Sequence, residues 1–585
     1  MADKLLEFSG NIVLGDQRQV LDDLAVERER GITVKARTAS MMYKDHLINL
    51  IDTPGHVDFD YEVKRSLRSC QGALLLIDST QGIQAQTLAN FKSAKEVDLY
   101  IIPVLTKLDL PHSDPAKSLE QIKSAFGIDE DQVLWTSAKT GEGCDEILPA
   151  IIDRVPCPPP QNPIFETAKY GALVIDSWYD KYKGTIALIS ILHGKCSIGD
   201  PITSESMLRN RITTKFEVQE LGVLTPGPVR QDHLRVGQVG YMICGVKETS
   251  DIHVGDMISN DSAAIKNVLT ESALVLSQPK LFASIYPVDT GDFDELRKNL
   301  ERLLLNDSAV SVMPESSGAL GFGFRCGFLG KLHMEVFFQR LEDEFETEVM
   351  ATAPAVPYTA VLKTGEVIIA ETPALLPDPI RVEYYLEPMA QVTFVSPHQY
   401  MGEVLKICQE RRGVQVHTEQ LDENMLIMKF NLPWQEVIID LHDTIKSSTA
   451  GYVSFDYTEI PHQKSHICKV DMMLNGKAVD ALSFICHRSV AEHRGRQVAL
   501  KLRKVIKRQQ YEVIIQAAIG AKVLAKERIA PFRKDVLTKS GKTVGGGDQT
   551  RKMKLLNKQK EGKNRLKTVG NVQLDQKAFM SVLER

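Results

Sequence analysis

In this 585-residue chain an apolar strand starting at Leu47 runs into Asp52-Thr53-Pro54-Gly55-His56. A carboxylate at a strand end can reach a Mg²⁺-bound water, and a glycine lets its backbone N–H approach a terminal phosphate oxygen. The ring of His56 can orient an attacking water. Alone, the pentapeptide reads equally well as a strand followed by a Pro-Gly turn. Upstream, Glu-Arg-Glu-Arg-Gly-Ile-Thr (27–33) supplies Gly31 and Thr33, which suit a mobile loop whose hydroxyl ligates Mg²⁺. By itself that heptapeptide is a charged helix end ahead of a strand. Downstream, Thr106-Lys107-Leu108-Asp109 closes an apolar run, and Ser137-Ala138-Lys139 follows within 136–141. Asp109 can accept both N–H groups of a guanine edge, and Lys107 can lie over the base. The Ala138 N–H can donate to the O6 that adenine lacks. Each tetrapeptide alone is commonly a surface turn. All four in this order, each at a strand end, point to a guanine-nucleotide site. It comprises residues 52–56, 106–109 and 137–139, with Thr33 and Asp52 serving Mg²⁺, the latter through water, and His56 as the catalytic group.

The elements that position these residues can be read from period and length. Residues 73–80 and 99–109 are near-continuous apolar runs ending in polar groups, which suits parallel strands buried on both faces with function at their carboxyl ends. They define an α/β domain over 1–158. Val-Pro-Cys-Pro-Pro-Pro-Gln-Asn-Pro (155–163) is a linker. Short strands with turn signals over 164–262 predict a β-barrel. Residues 277–355 and 385–462 each show the split βαβ order of a ferredoxin-like domain. In the second, Ala390–Ser396 is the opening strand and 434–448 is read as one helix. Residues 465–585 form a basic last domain, with a mobile Gly- and Lys-rich stretch at 540–554.

Composition bounds the class. A hydrophobic content of 43% with 25% charge is ordinary for a globular protein, and the length implies three to five domains. No apolar run approaches a membrane span, and the first residues resemble neither a signal nor a transit peptide. Nine cysteines without a CxxC pair argue for a reducing compartment and against a zinc site or a disulfide framework. The net charge of -6 conceals an asymmetry: residues 501–570 hold 20 Lys and Arg against 5 Asp and Glu, a net of +15. That excess points to nucleic acid, the bland reading being a solubilising tail. Lys552, Lys554, Lys558, Arg565 and Lys567 are the candidate RNA contacts.

The stretches 27–33, 51–59 and 82–87 look like an elongation-factor GTP-binding domain. Residues 316–342, 411–415, 507–525 and 551–572 extend the likeness along the whole chain to the LepA/elongation factor 4 family of translational GTPases. Details of 26–40 and 46–59 resemble mitochondrial members. This resemblance implies a ribosome-dependent GTP hydrolase, monomeric, whose His56 is aligned in trans by ribosomal RNA. It further implies GTP and Mg²⁺ as cofactors, and contacts to ribosomal RNA and tRNA. The expected location is the mitochondrial matrix, peripheral to the inner membrane, with the cytoplasm as alternative. The expected role is back-translocation or fidelity. The family carries Asn where this chain has Thr106, and the hydroxyl keeps a donor there.

The resemblance also implies a GxxxxGK[ST] phosphate loop, which residues 1–585 do not contain. The nearest match, Ser540-Gly541-Lys542-Thr543, has Val536 where the first glycine belongs. Met1-Ala2-Asp3-Lys4-Leu5-Leu6 aligns with the family sequence just past that loop, so the expectation is that the loop and the strand before it were cut off upstream. Three charge-assisted hydrogen bonds at roughly 1.5–3 kcal/mol each make the loop worth about 10⁴-fold or more in nucleotide affinity. The rival class is a nucleotide-independent ribosome- or RNA-binding protein derived from a GTPase.

Overall fold

The structure, a computed structural model, describes residues 1–561 except 12–20, 23, 160–164, 166, 181, 212–215, 226, 247–251, 269–278, 305–306, 308, 318–319, 439, 533–537, 540–541, 544–549, 551–552 and 555. The Gly- and Lys-rich stretch from 540 and the candidate RNA contacts Lys552, Arg565 and Lys567 therefore lie largely or wholly outside the described residues.

The N-terminal domain is built on strand Gly72–Asp78, which pairs in parallel with Tyr100–Thr106; Val104 and Leu105 pair in turn with Leu134 and Trp135. Ile77, Val104 and Leu105 are at most 1% exposed, as strands covered on both faces require. The strands Arg37–Tyr43 and His46–Asp52 form a separate antiparallel hairpin, which turns on Lys44 and Asp45, both with positive φ. Helix Ala2–Phe8 drives Leu5 and Leu6 into a core shared with Met41, Val104 and Ile147.

A nine-stranded antiparallel sheet follows, centred on Tyr170–Asp180 and Gly184–Ser197 and curled around one apolar core. The next unit has four antiparallel strands in the spatial order Ser311–Ser317, Gly321–Phe328, Leu281–Pro287, Val349–Ala351, with helices Phe293–Leu304 and Lys331–Phe345. A further sheet is organised by the long strand Val382–Pro397, flanked by Met425–Pro433 and Ser454–Ser465. One continuous core joins these two units, running from Leu281 and Phe337 to Trp434 and Ile445. In the last unit, helix Ala491–Val505 packs on the strands Ile467–Leu474, Val513–Ile519 and Lys522–Ile529.

Three local expectations are corrected. The opening strand begins at Val382 rather than Ala390; Pro388 interrupts the sequence pattern, and the strand carries it at a register shift between Glu387 and Met389. The hairpin Tyr358–Leu362/Val367–Ala370, which falls between the two expected ferredoxin-like segments, adds to the edge of that sheet. Residues 434–448 form two helices, Trp434–Ile438 and Leu441–Ser448, because Asp440 leaves the helical path to accept from Arg411 Nη2 at 2.9 Å.

The N-terminal domain does not stand apart. Its helices Ala85–Glu96 and Pro115–Phe126 meet the Val382–Pro397 sheet through a small cluster of Ala85, Val395, Leu421 and Met425. The Ala85 N–H donates to Ser454 Oγ, and Ser124 Oγ donates to the Leu421 carbonyl.

Candidate functional site

The predicted site residues fall into two groups at the ends of strands. One group surrounds the Thr106 end of Tyr100–Thr106 and the residues after Trp135. Thr106 Oγ1 donates to the Ile77 carbonyl at 3.2 Å, so its hydroxyl is used to join two strands. Lys107 adopts φ +61, a conformation disfavoured for a residue with a Cβ, and its ammonium pairs with Asp78 at 2.8 Å. The Leu108 N–H lies 3.5 Å from the Thr136 carbonyl. Asp109 is set by the fully buried Ser137, whose Oγ donates to Asp109 Oδ1 at 2.7 Å; the Lys139 ammonium is 3.9 Å from the other oxygen. Ser137 is itself fixed, its N–H donating to the Glu142 carbonyl. Gly143, at φ +67, passes so close to the Trp135 carbonyl that a Cβ would sit 1.9 Å from its oxygen. Among the described residues the Ala138 N–H has no protein partner, leaving it open to an outside acceptor.

The second group lies beyond the hairpin. Register places Asp52 opposite Arg37 at the strand end. Burial pushes its carboxyl up to about 6, reinforced by Asp22, Asp3 and Glu27. Thr33 Oγ1 donates to Asp22 Oδ1 at 3.4 Å. The Thr33 loop is shaped by Glu27, fully buried, which accepts from the N–H groups of Leu24, Val34 and Lys35. Gly31 ends helix Ala25–Arg30 in the left-handed region at φ +64. Asp3, in the first turn of helix Ala2–Phe8, thus lies near Asp22 and Asp52. No three His, Cys, Asp or Glu side chains are grouped to hold a metal among the described residues. A Mg²⁺ held mainly by water and phosphate oxygens needs only one or two protein oxygens, so Thr33 and Asp52 fit it.

Thr53 and Pro54 carry the chain to Gly55, where an added Cβ would meet nothing within 4 Å. The fold itself does not require glycine there, and the open side is free for a ligand to approach. His56 Nδ1 accepts from the Asp58 N–H at 3.1 Å, so the neutral ring carries its proton on Nε2. Burial holds His56 below the usual imidazole range, Asp58 opposing and His442 adding to the effect. The rings of His56 and His442 are 6.0 Å apart, across a cavity of about 430 Å³ that Asp58, Lys331 and Tyr457 also line. Helix Asp60–Leu67 follows. Its Arg65 pairs with Glu62 at 2.6 Å and lies 3.6 Å from Asp176 of the nine-stranded sheet, which also holds Lys35 at 2.9 Å.

Sequence reasoning missed Asp22, Glu27 and Asp58. Glu27 and Asp58 lie inside the quoted motifs, so the signal was present, but their partners were not visible. Lys554 and Lys558 are exposed and helical, one turn apart.

Comparison with known proteins gives the class. The family model "Elongation factor Tu GTP binding domain" matches residues 1–157, "Elongation factor G C-terminus" matches 384–472, and "GTP-binding protein LepA C-terminus" matches 474–584. The chain is a translational GTPase. A translation factor GUF1 homolog, mitochondrial, of Phytophthora infestans is 50% identical over 100% of this chain and 89% of its own length. The homolog of the same name from Arabidopsis thaliana is 44% identical over 100% and 88%, and elongation factor 4 of Bacillus cytotoxicus 43% over 100% and 94%. The chain belongs to the LepA/elongation factor 4 family, acts in protein synthesis and hydrolyses GTP to GDP and phosphate. A crystal structure from Thermus thermophilus shares the fold at 16% identity, with a TM-score of 0.56 over 79% of this chain and 94% of that one. The nucleotide-independent reading finds no support in these matches.

Proposed function

We propose that the two groups of residues are the two ends of one GTP site. At the base end, Asp109 accepts from the guanine edge, held by Ser137, while Ala138 donates to O6 and Lys107, Leu108 and Lys139 frame the ring. At the phosphate end, Thr33 and Asp52 serve Mg²⁺, which when bound neutralises phosphate charge. The Gly55 N–H meets the terminal phosphate, and His56 orients the attacking water. Thr53, Pro54 and Thr106 hold the loops. The observation that carries this reading is the Asp109–Ser137 pair beside the unpartnered Ala138 N–H: together they present the acceptor and donor pattern that guanine needs.

The partner is the ribosome, with ribosomal RNA completing the site at His56. Lys552, Lys554, Lys558, Arg565 and Lys567 contact RNA phosphates, of ribosomal RNA and tRNA alike. The nine-stranded sheet serves as the second-domain barrel of a translation factor, the two following units as its ferredoxin-like domains, and the whole acts as a monomer. We place the protein in the mitochondrial matrix, peripheral to the inner membrane; the names of the mitochondrial relatives support the mitochondrion, and no helix among the described residues is long and apolar enough to cross a membrane. The role we favour is back-translocation or fidelity.

The test exchanges the acceptor. In the chain joined to a phosphate loop ahead of Met1, Asp109→Asn keeps one acceptor and gains a donor, which suits the 2-oxo group of xanthine. GTP affinity should fall by at least tenfold and XTP should bind better than GTP. An unchanged preference for GTP would overturn the assignment of Asp109.

A further inference from the structure

Asp58 is the point at which three domains meet. Its backbone N–H donates to His56 Nδ1, and its carboxylate is held from outside its own domain on both oxygens. Oδ2 accepts from the Leu332 N–H at 2.7 Å, and Oδ1 accepts from the Tyr457 hydroxyl at 2.9 Å. Leu332 is the second residue of the 15-residue helix Lys331–Phe345, so its N–H is one of the donors that the helix cannot satisfy itself, at the positive end of its dipole. Gly330, which precedes that helix, leaves the room: a Cβ there would lie 2.2–2.4 Å from the carboxylate atoms of Asp58. Tyr457 comes from the strand Ser454–Ser465 of the other unit, and its ring stands edge-on to Trp434 at 5.2 Å. Burial, and then the charge of Asp58, push the Tyr457 hydroxyl well above its ordinary range, so it remains a donor. The next residue, Phe59, is wedged among Val26, Val34 and Val336.

These contacts leave the backbone between His56 and Phe59 little freedom of its own. We propose that Asp58 is a positioning residue for GTP hydrolysis: the helix at Leu332 and the hydroxyl of Tyr457 fix its carboxylate, and through its N–H they fix the direction in which the His56 ring points. A movement of either unit relative to the GTP-binding domain is then transmitted to His56 with no contact to the nucleotide. The inference rests on the reading of His56 as the water-orienting group.

Two variants reach Asp58 from different domains. Tyr457→Phe removes one hydroxyl. Gly330→Ala adds a methyl group that must displace the carboxylate, and at φ -167 its extended backbone suits alanine, so the clash is its only effect. Each is assayed for single-turnover and steady-state GTP hydrolysis on ribosomes, with the phosphate loop present, in the wild-type and the His56→Ala backgrounds. In the first background each should lower kcat by about tenfold and leave the KM for GTP and ribosome binding within twofold. In the second neither should lower the residual rate further, because the group that Asp58 positions is gone. An unchanged kcat in both variants while His56→Ala lowers it by about 100-fold or more would overturn the proposal, as would an equal loss in both backgrounds. Full turnover in His56→Ala alone would instead overturn the reading on which it rests.

Discussion

The proposed base end and the proposed hydrolytic end of the site are held in opposite ways. Asp109, Ser137, Lys107 and Gly143 are fixed by residues of the same domain, all between Ile77 and Glu142. His56 and Asp58 are held by Leu332, Tyr457 and the neighbouring His442, and helix Asp60–Leu67 is anchored on Asp176 of the nine-stranded sheet. On the proposed assignment, nucleotide selectivity is a property of the GTP-binding domain alone. The geometry of hydrolysis depends on how the whole molecule is assembled. That division suits an enzyme that must carry its nucleotide intact until a partner changes its shape.

Perturbations remote from the nucleotide should separate the two ends. Lys554, Lys558 and Lys567 changed together to Glu should weaken ribosome binding by about tenfold or more and flatten its dependence on salt, since each phosphate contact releases a counterion. GTP binding should be unaffected, because the residues proposed to hold GTP all lie between Thr33 and Lys139. Ribosome pelleting at several salt concentrations reads the effect, and equal pelleting at every salt would leave the basic segment as a solubilising tail. No aromatic residue occurs in 551–572, so base stacking and sequence preference are not expected from it.

A smaller effect isolates the base end. Ser137→Ala removes the hydroxyl that holds Asp109 and leaves a methyl-sized side chain. Loss of one hydrogen bond to a carboxylate, roughly 1.5 kcal/mol at the low end, corresponds to about tenfold weaker GTP binding. Ribosome-stimulated kcat at saturating GTP should not change. A fall in kcat with affinity intact would place Ser137 at the hydrolytic end instead.

What could be read in the sequence follows the same division. That Asp109, Ser137 and Ala138 come together was legible because a guanine edge would demand particular residue types within a few positions of a strand end, and the structure does group them. His56, Asp52 and Thr33 were singled out by the same kind of reasoning, from the residue types that a phosphate, a Mg²⁺ and a water would demand. Asp58 stood in the same stretch, but its partners are 274 and 399 residues away, and no local pattern encodes such a pairing. Glu27 was hidden because a charged run is normally a solvated face, whereas here three backbone N–H groups make it a buried cap. Pro388 concealed half of the strand Val382–Pro397, since a bulge is set by the neighbouring strand rather than by the residues beside it.

His56 is the residue on which the proposed hydrolytic end depends most directly. With the phosphate loop joined ahead of Met1, single-turnover GTP hydrolysis on ribosomes should be measured for His56→Ala alongside GTP affinity. A water-orienting group acts in the transition state, so the rate should fall by about 100-fold or more while affinity stays within threefold. Loss of GTP binding in this variant, or a hydrolysis rate equal to that of the unaltered chain, would contradict it.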